Sequence, residues 1–380
     1  MPGEYRLNTG RNRSGTDFLH VVGARPNFMK LAPVYGALAV HGIRQIIVHT
    51  GQHYDSNMSD IFFEQLGIPH PDENLAAGSG SHAQQTAAIM QRLEGCVMKY
   101  QPRTVVIYGD VNSTLAAALV CAKLHVRVAH VEAGLRSFDR GMPEEVNRVV
   151  ADQLSDLLLT PSEDANENLI REGISAEKIE LVGNVMIDSL VRLLPKGDKS
   201  VPHDVPERYG LVTLHRPANV DDPEIMRTII GGLEDCSRHV DILFPVHPRT
   251  RARLQEMGIR IGQNGSWLRF MDPLPYVEFL GLQARAAFVV TDSGGIQEET
   301  TYLGVPCLTL RDNTERPITV TCGTNTVIGH DGARLEREIT RILNGRGKRG
   351  KPPDLWDGKA GERIAGCLLR PYQAALVASA

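Results

Sequence analysis

Residues 104–136 read TVVIYGDVNSTLAAALVCAKLHVRVAHVEAGLR, and they decide the fold. Thr104–Tyr108 is apolar, β-branched and aromatic, which predicts a strand. Ser113–Leu124 predicts a helix and Val126–Val131 a second strand. Strand, helix and strand in succession are the repeating unit of a parallel sheet with helices on both faces. Polar residues gather at the carboxyl ends of the strands: Gly109-Asp110-Val111-Asn112 after the first, Glu132-Ala133-Gly134 after the second. In open parallel sheets, ligands bind beyond those ends.

The alternation extends in both directions. Upstream, Phe18–Val22 and Gln45–His49 predict strands, and Pro26–Ala39 and Ser81–Tyr100 helices. Downstream, Pro143–Leu154 predicts a helix whose first turn holds a Pro and two acids, and Leu157–Thr160 a strand. The pattern then restarts. Gly210–Leu214, Asp241–Pro245, Ala287–Thr291 and Val305–Leu310 predict strands, with helices over Pro223–Ser237, Tyr276–Gln283 and Ile296–Leu303. Between the two series, Pro195–Glu207 (PKGDKSVPHDVPE) has the Pro and charge content of a linker. Two α/β domains result, residues 1–190 and 191–360, with the site expected in the cleft between them.

Composition narrows the partners. The chain has 380 residues, is 42% hydrophobic and 23% charged, and carries a formal net charge of −4. That is an ordinary globular composition. It lacks the basic excess that general nucleic-acid or membrane-surface binding wants. The longest apolar run, Leu31–Val40, is broken by Pro33, Tyr35 and Gly36, so no spanning helix is expected. Met1 to Asp17 is polar and Arg-containing, which reads as a frayed arm rather than a secretory signal. Cysteines at 96, 121, 236, 307, 322 and 367 form no C-x-x-C pair. Scattered thiols of this kind suggest a reduced, cytoplasmic protein.

Several strand-end clusters carry chemistry. In Gly23-Ala24-Arg25-Pro26-Asn27-Phe28-Met29-Lys30, Arg25 and Lys30 can aim at an anion at the helix start, or be solvated on a surface turn. Asp110 can act as an acid/base group or as a helix cap. Glu132 ends an apolar strand, where a carboxylate is costly unless paired or used. Glu144, in Pro143-Glu144-Glu145, can serve the reaction or simply complement the helix dipole. In the second half, Leu214-His215-Arg216-Pro217 and Val246-His247-Pro248-Arg249 both end strands. Asp292-Ser293-Gly294-Gly295 opens a helix whose N–H groups can approach a phosphate. Glu298 or Glu299 could accept hydrogen bonds from a ribose diol, and Arg311, Glu315 and Arg316 follow the next strand.

Other motifs fail. Gly78-Ser79-Gly80-Ser81-His82-Ala83 fits G-x-G-x-x-A but follows no predicted strand. His130-Val131-Glu132 lacks the P-C-x-x-C partner of a zinc deaminase. His49 and His53 are four apart, but Gly51 makes a shared helix face doubtful, so no metal site is inferred.

In their order, these clusters resemble the non-hydrolysing UDP-N-acetylglucosamine 2-epimerase family. The matching stretches include GARPNFMKLAPV (23–34), HTGQHYDSNMS (49–59), YGDVNSTLAAA (108–118), HVEAGLRSFDRGMPEEVNR (130–148), LHRPAN (214–219), PVHPRT (245–250), TDSGGIQEE (291–299) and RDNTERP (311–317). The resemblance implies the GT-B architecture: two Rossmann-like parallel-sheet domains facing a central cleft, with a C-terminal helix over 361–375 packing back on the first. It implies a homodimer acting on a UDP-sugar, with neither nicotinamide nor metal. Arg25 and Lys30 then match the family's substrate-contacting pair. Asp110, Glu132 and Glu144 match its essential carboxylates, and His215 its active-site His. Ser293, Gly294, Gly295, Glu299 and Arg316 match the diphosphate and ribose positions, and Tyr276 sits beside the uracil. The loop Ser137–Met142 is shorter than in many bacterial members, where it helps hold a second, activating substrate molecule. The short form also occurs among epimerases of UDP-diacetamido-uronic acids. A related UDP-2-acetamido sugar, a hydrolysing epimerase, a GT-B glycosyltransferase and a catalytically dead UDP-sugar sensor are the alternatives.

Overall fold

A computed structural model describes residues 16–52, 60–202, 204–259 and 267–377. Residues 1–15 of the N-terminal arm, and His53, lie outside the described residues.

The first sheet contains β1 (Phe18–Val22), β2 (Gln45–His49), β3 (Glu73–Asn74), β4 (Thr104–Tyr108), β5 (Arg127–Val131), β6 (Leu157–Thr160) and β7 (Ile179–Leu181). Its strand order is β3-β2-β1-β4-β5-β6-β7, and its pairings are parallel. The second sheet contains β8 (Tyr209–Thr213), β9 (Asp241–Pro245), β10 (Leu268–Met271), β11 (Phe288–Thr291), β12 (Cys307–Thr309) and β13 (Asn325–Val327). Its order is β10-β9-β8-β11-β12-β13, again parallel. Each order reverses direction once, between β1 and β4 and between β8 and β11. Such a reversal splays the following connections to opposite faces and opens a crevice. The loops after β1, β4, β8 and β11 carry Arg25, Asp110, His215 and Ser293, so four of the polar clusters flank the two crevices.

Alternation along the strands builds two cores per sheet. Phe18 and Val22 of β1 join Phe28, Leu31, Leu190 and Ile364 on one face. Leu19 and Val21 join Leu93, Val97, Ala117 and Cys121 on the other. All six cysteines are free, and all but Cys322 are buried. No helix among the described residues is long and apolar enough to cross a membrane.

The expected linker is corrected. A continuous helix, Val185–Ser200, runs through Pro195, so both the boundary read at residue 190 and the start of the linker fall inside it. Its first half is tied to the first domain, where Ser189 Oγ donates to the Met29 carbonyl at 2.6 Å. Its second half crosses the helix Tyr276–Arg285. There a Cβ on Gly281 would lie 2.2 Å from the Gly197 carbonyl oxygen. The last turns, whose Pro and charges suggested coil, are helical and pack closely at this glycine crossing. The helix Ala360–Val377 packs against the helix Arg25–Ala39 of the first domain. Asp188 caps it, accepting from the N–H groups of Ala360 (3.0 Å) and Gly361 (2.7 Å).

Candidate active site

Lys30 lies one turn into the first helix and is buried. Gly109, at φ +62°, leaves it room, since a Cβ there would sit 2.6 Å from Lys30 Nζ. Lys30 thereby reaches Glu132 and forms a buried ion pair with Oε2. Glu132 itself sits at φ +70°, a left-handed conformation that few non-glycine residues adopt. Strained backbone of this sort clusters at sites of function.

Asp110 does not cap the following helix; Val111 holds that position. Its carboxylate pairs with Arg148, whose Nη2 is 2.9 Å from Oδ2. Burial opposes ionisation of Asp110, but Arg148, Lys30 and Arg316 together hold its carboxyl below the usual value. The two acids of Pro143-Glu144-Glu145 separate by role. Glu145 is buried and accepts from the Ser137 N–H (2.9 Å) and the Phe138 N–H (2.8 Å), folding the short loop. Glu144 instead faces a cavity of about 290 Å³ that it shares with Asp110 and with Gln52, His82, Gln85, Asn112 and Asn147.

Across the cleft, Gly294 and Gly295 lie inside the first turn of the helix Gly294–Leu303, which starts two residues earlier than expected. Ser293 is its N-cap. A Cβ on Gly294 would lie 2.4 Å from Arg316 Nη1, so the missing side chain lets the guanidinium lie against the helix start. A Cβ on Gly295 would meet nothing within 4 Å, so that face is open. Arg316 is buried among Glu132 (2.9 Å), Glu298 (2.7 Å) and Glu315 (2.6 Å). Burial works against its charge, and the surrounding carboxylates more than restore it. Burial likewise opposes ionisation of Glu315, which Arg316, Arg311 and Arg216 drive well below the carboxylate range.

Glu298 and Glu299 also divide. Glu298 turns to Arg316, whereas Glu299 accepts from the Tyr276 hydroxyl at 2.8 Å. Burial pushes both carboxyls up to about 7. Burial and Glu299 raise the Tyr276 phenol well above its usual value, against the charge of Arg25 from the opposing domain. His215 is oriented by Asp292, whose Oδ1 is 3.1 Å from Nδ1. Asp292 also accepts from the Arg216 N–H (2.9 Å) and Asn219 (3.0 Å).

The expected site residues thus form two groups that meet. Lys30, Asp110, Glu132 and Arg316 share one charged network, with Glu144 on the adjoining cavity. Arg25, Tyr276 and Glu299 cluster beside it. His215 joins through Arg216, which lies 3.4 Å from Glu315. Residues without an assigned role also matter: Arg148 and Asn147 hold Asp110, and Asp292 holds His215. In the G-x-G-x-x-A stretch, Gly78–Gly80 is a loop, Ser81 caps the helix His82–Tyr100, and His82 and Ala83 begin that helix.

The family model for UDP-N-acetylglucosamine 2-epimerase matches residues 37–369. A UDP-N-acetylglucosamine 2-epimerase of Methanocaldococcus jannaschii is 44% identical over 361 residues, covering 92% of this chain and 97% of that protein. A UDP-2,3-diacetamido-2,3-dideoxy-D-glucuronate 2-epimerase of Pseudomonas aeruginosa is 44% identical over 315 residues, covering 82% and 88%. The crystal structure of the M. jannaschii enzyme with UDP-GlcNAc and UDP superposes with a TM-score of 0.85 at 42% identity, covering 93% of this chain and 99% of that one.

Proposed function

Because this chain belongs to the UDP-N-acetylglucosamine 2-epimerase family, we propose that it interconverts UDP-N-acetylglucosamine and UDP-N-acetylmannosamine without hydrolysis. The C2 proton of the sugar is not acidic, so its removal is coupled to departure of UDP from C1. The product of that step is 2-acetamidoglucal. Re-protonation of the other face and return of UDP to C1 complete the epimerisation. Asp110, Glu132 and Glu144 supply the acid and base. Arg25, Lys30, Arg316 and the helix start at Ser293-Gly294-Gly295 neutralise the leaving diphosphate. Glu299 takes the ribose, Tyr276 lies beside the uracil, and His215 completes the site.

One observation carries this. Arg316, packed on the helix start that a diphosphate would reach, also touches Glu132 from the opposing sheet. Leaving-group and proton chemistry therefore converge on one point. For the sugar, the cavity beside Asp110 and Glu144 is lined by amides and His82, with no Lys or Arg among its described lining residues. A uronate carboxylate there would face two acids, which favours the uncharged N-acetylglucosamine over a diacetamido-glucuronate. We further take the working protein to be a cytoplasmic homodimer, which sedimentation analysis would test.

The decisive experiment is incubation with UDP-N-acetylglucosamine in deuterated water, followed at C2 by NMR. Deuterium at C2 with UDP-N-acetylmannosamine appearing is the expected result. Unlabelled, unchanged substrate overturns the proposal. Free sugar with UDP replaces it by hydrolysis, and faster turnover of the diacetamido-glucuronate reassigns the substrate.

A further inference from the structure

His130 has no role in the scheme above, yet it joins two of the catalytic loops. It is fully buried on β5, two residues before Glu132. Its Nε2 lies 2.7 Å from the carbonyl oxygen of Gly109, the residue before Asp110. Its Nδ1 lies 2.7 Å from Asp152 Oδ1, on the helix Pro143–Leu154 that begins beside Glu144. A carbonyl oxygen only accepts, so Nε2 donates to Gly109, and Nδ1 is the ring nitrogen that meets Asp152.

Asp152 spends its second oxygen on the strained loop. Oδ2 accepts from the Gly134 N–H at 3.1 Å and lies 2.7 Å from Arg136 Nη2. Arg136 is in turn held by a two-pronged contact with Glu172, at 2.8 and 2.7 Å. Gly134, the first of these anchors, sits at φ +83°, and Glu132, two residues before it, at φ +70°. One buried hydrogen-bonded pair thus fixes the backbone on the near side of Asp110 and on the far side of Glu132.

We propose that the His130–Asp152 pair is a positioning element that holds the Gly109–Asp110 and Glu132–Gly134 loops in register for proton transfer at C2. This rests on the acid/base reading of Asp110 and Glu132. Neither His130 nor Asp152 touches the substrate; both act through the carboxylates they place. Buried polar pairs can also serve folding alone, so the test separates the two.

Asp152→Asn keeps the shape and removes the charge. Its kcat is expected to fall roughly 10- to 100-fold, the scale of loss that follows a shift of about 1 Å in a reacting group. UDP affinity by calorimetry is expected to stay within about twofold, because neither His130 nor Asp152 contacts Arg25, Lys30, Arg316 or the Ser293–Gly295 helix start. The C2-deuterium isotope effect on kcat should rise as proton transfer becomes limiting. An unchanged kcat and isotope effect, or a fall in UDP affinity that parallels the fall in kcat, overturns the proposal. Should Asp152→Asn fail to fold, His130→Gln is measured in the same way, and the same kcat, isotope-effect and UDP-affinity outcomes support or overturn the proposal. If Asp110→Asn and Glu132→Gln both keep full turnover, the underlying reading fails instead, whatever His130 does.

Discussion

Arg316 Nη2 lies 2.9 Å from Glu132 Oε1, a contact between the two sheets across 184 positions of sequence. The same guanidinium serves Glu298 and Glu315. A lysine carries the charge but lacks the planar fork needed to satisfy three carboxylates. Arg316→Met leaves Glu298 buried without its ion-pair partner and leaves Glu132 and Glu315 to Lys30, Arg311 and Arg216 alone, which destabilises by about 3–5 kcal/mol. We expect UDP affinity to fall by about two orders of magnitude by calorimetry, with a lowered thermal midpoint. Arg316→Lys should recover part of the stability and little of the affinity. Wild-type affinity in Arg316→Met would remove the arginine from the diphosphate site.

Neighbouring acids at 144 and 145 should respond differently to the same change. Glu144 faces the cavity it shares with Asp110, and Glu145 holds the backbone of Ser137 and Phe138. Glu144→Gln should lower kcat roughly 10²- to 10⁴-fold, the usual worth of a positioned acid or base, with an unchanged melting curve. Glu145→Gln weakens a buried pair with Arg148 and should lower the melting temperature first. Parallel kinetics and melting scans distinguish the two, and the reverse pattern would exchange their roles. Asp110→Asn and Glu132→Gln should behave as Glu144→Gln does in turnover.

The strand-end clusters were legible because parallel strands show as short apolar runs, and the polar residues that interrupt them fall at carboxyl ends. Local sequence could not say which cluster meets which. The division between Glu298 and Glu299 depends on Arg316 and Tyr276, which come from different elements of the second domain. Asp292 reads as part of a turn until β8 is seen to pair with β11, which brings His215 to it. The Val185–Ser200 helix was hidden for another reason. Its last turns hold Pro195, Gly197 and charges that read as coil, and the packing of Gly197 on Gly281 comes from a helix about 80 positions further along the chain.

Substrate binding should depend on pH through Glu299. Its carboxyl is raised to about 7 by burial, so below that value it is mostly protonated. A ribose diol donates to the ionised form, so KM for UDP-N-acetylglucosamine should fall as pH rises through about 7. Glu298 is raised to the same range, but it faces Arg316 rather than Tyr276. Glu299→Gln should therefore raise KM and flatten its pH profile above 6 in large part. An unaltered profile in that variant would assign the titration to Glu298.

The Gly197–Gly281 crossing makes a prediction of opposite signs for one chemical change. A Cβ on Gly281 would lie 2.2 Å from the Gly197 carbonyl oxygen, and backbone cannot swing aside as a flexible side chain does. Overpacking of this kind destabilises by about 1–3 kcal/mol. Tyr276 opens the same helix, so Gly281→Ala should raise KM as well as lower the melting temperature. Gly231 lies within the helix Pro223–Ser237, and a Cβ there meets nothing within 4 Å. Gly231→Ala should stabilise by about 0.5–1 kcal/mol through the lower entropy of the unfolded chain. Melting curves and KM for both variants check this. Equal effects would mean that the two helices separate freely at the crossing and that it does not hold the domains together.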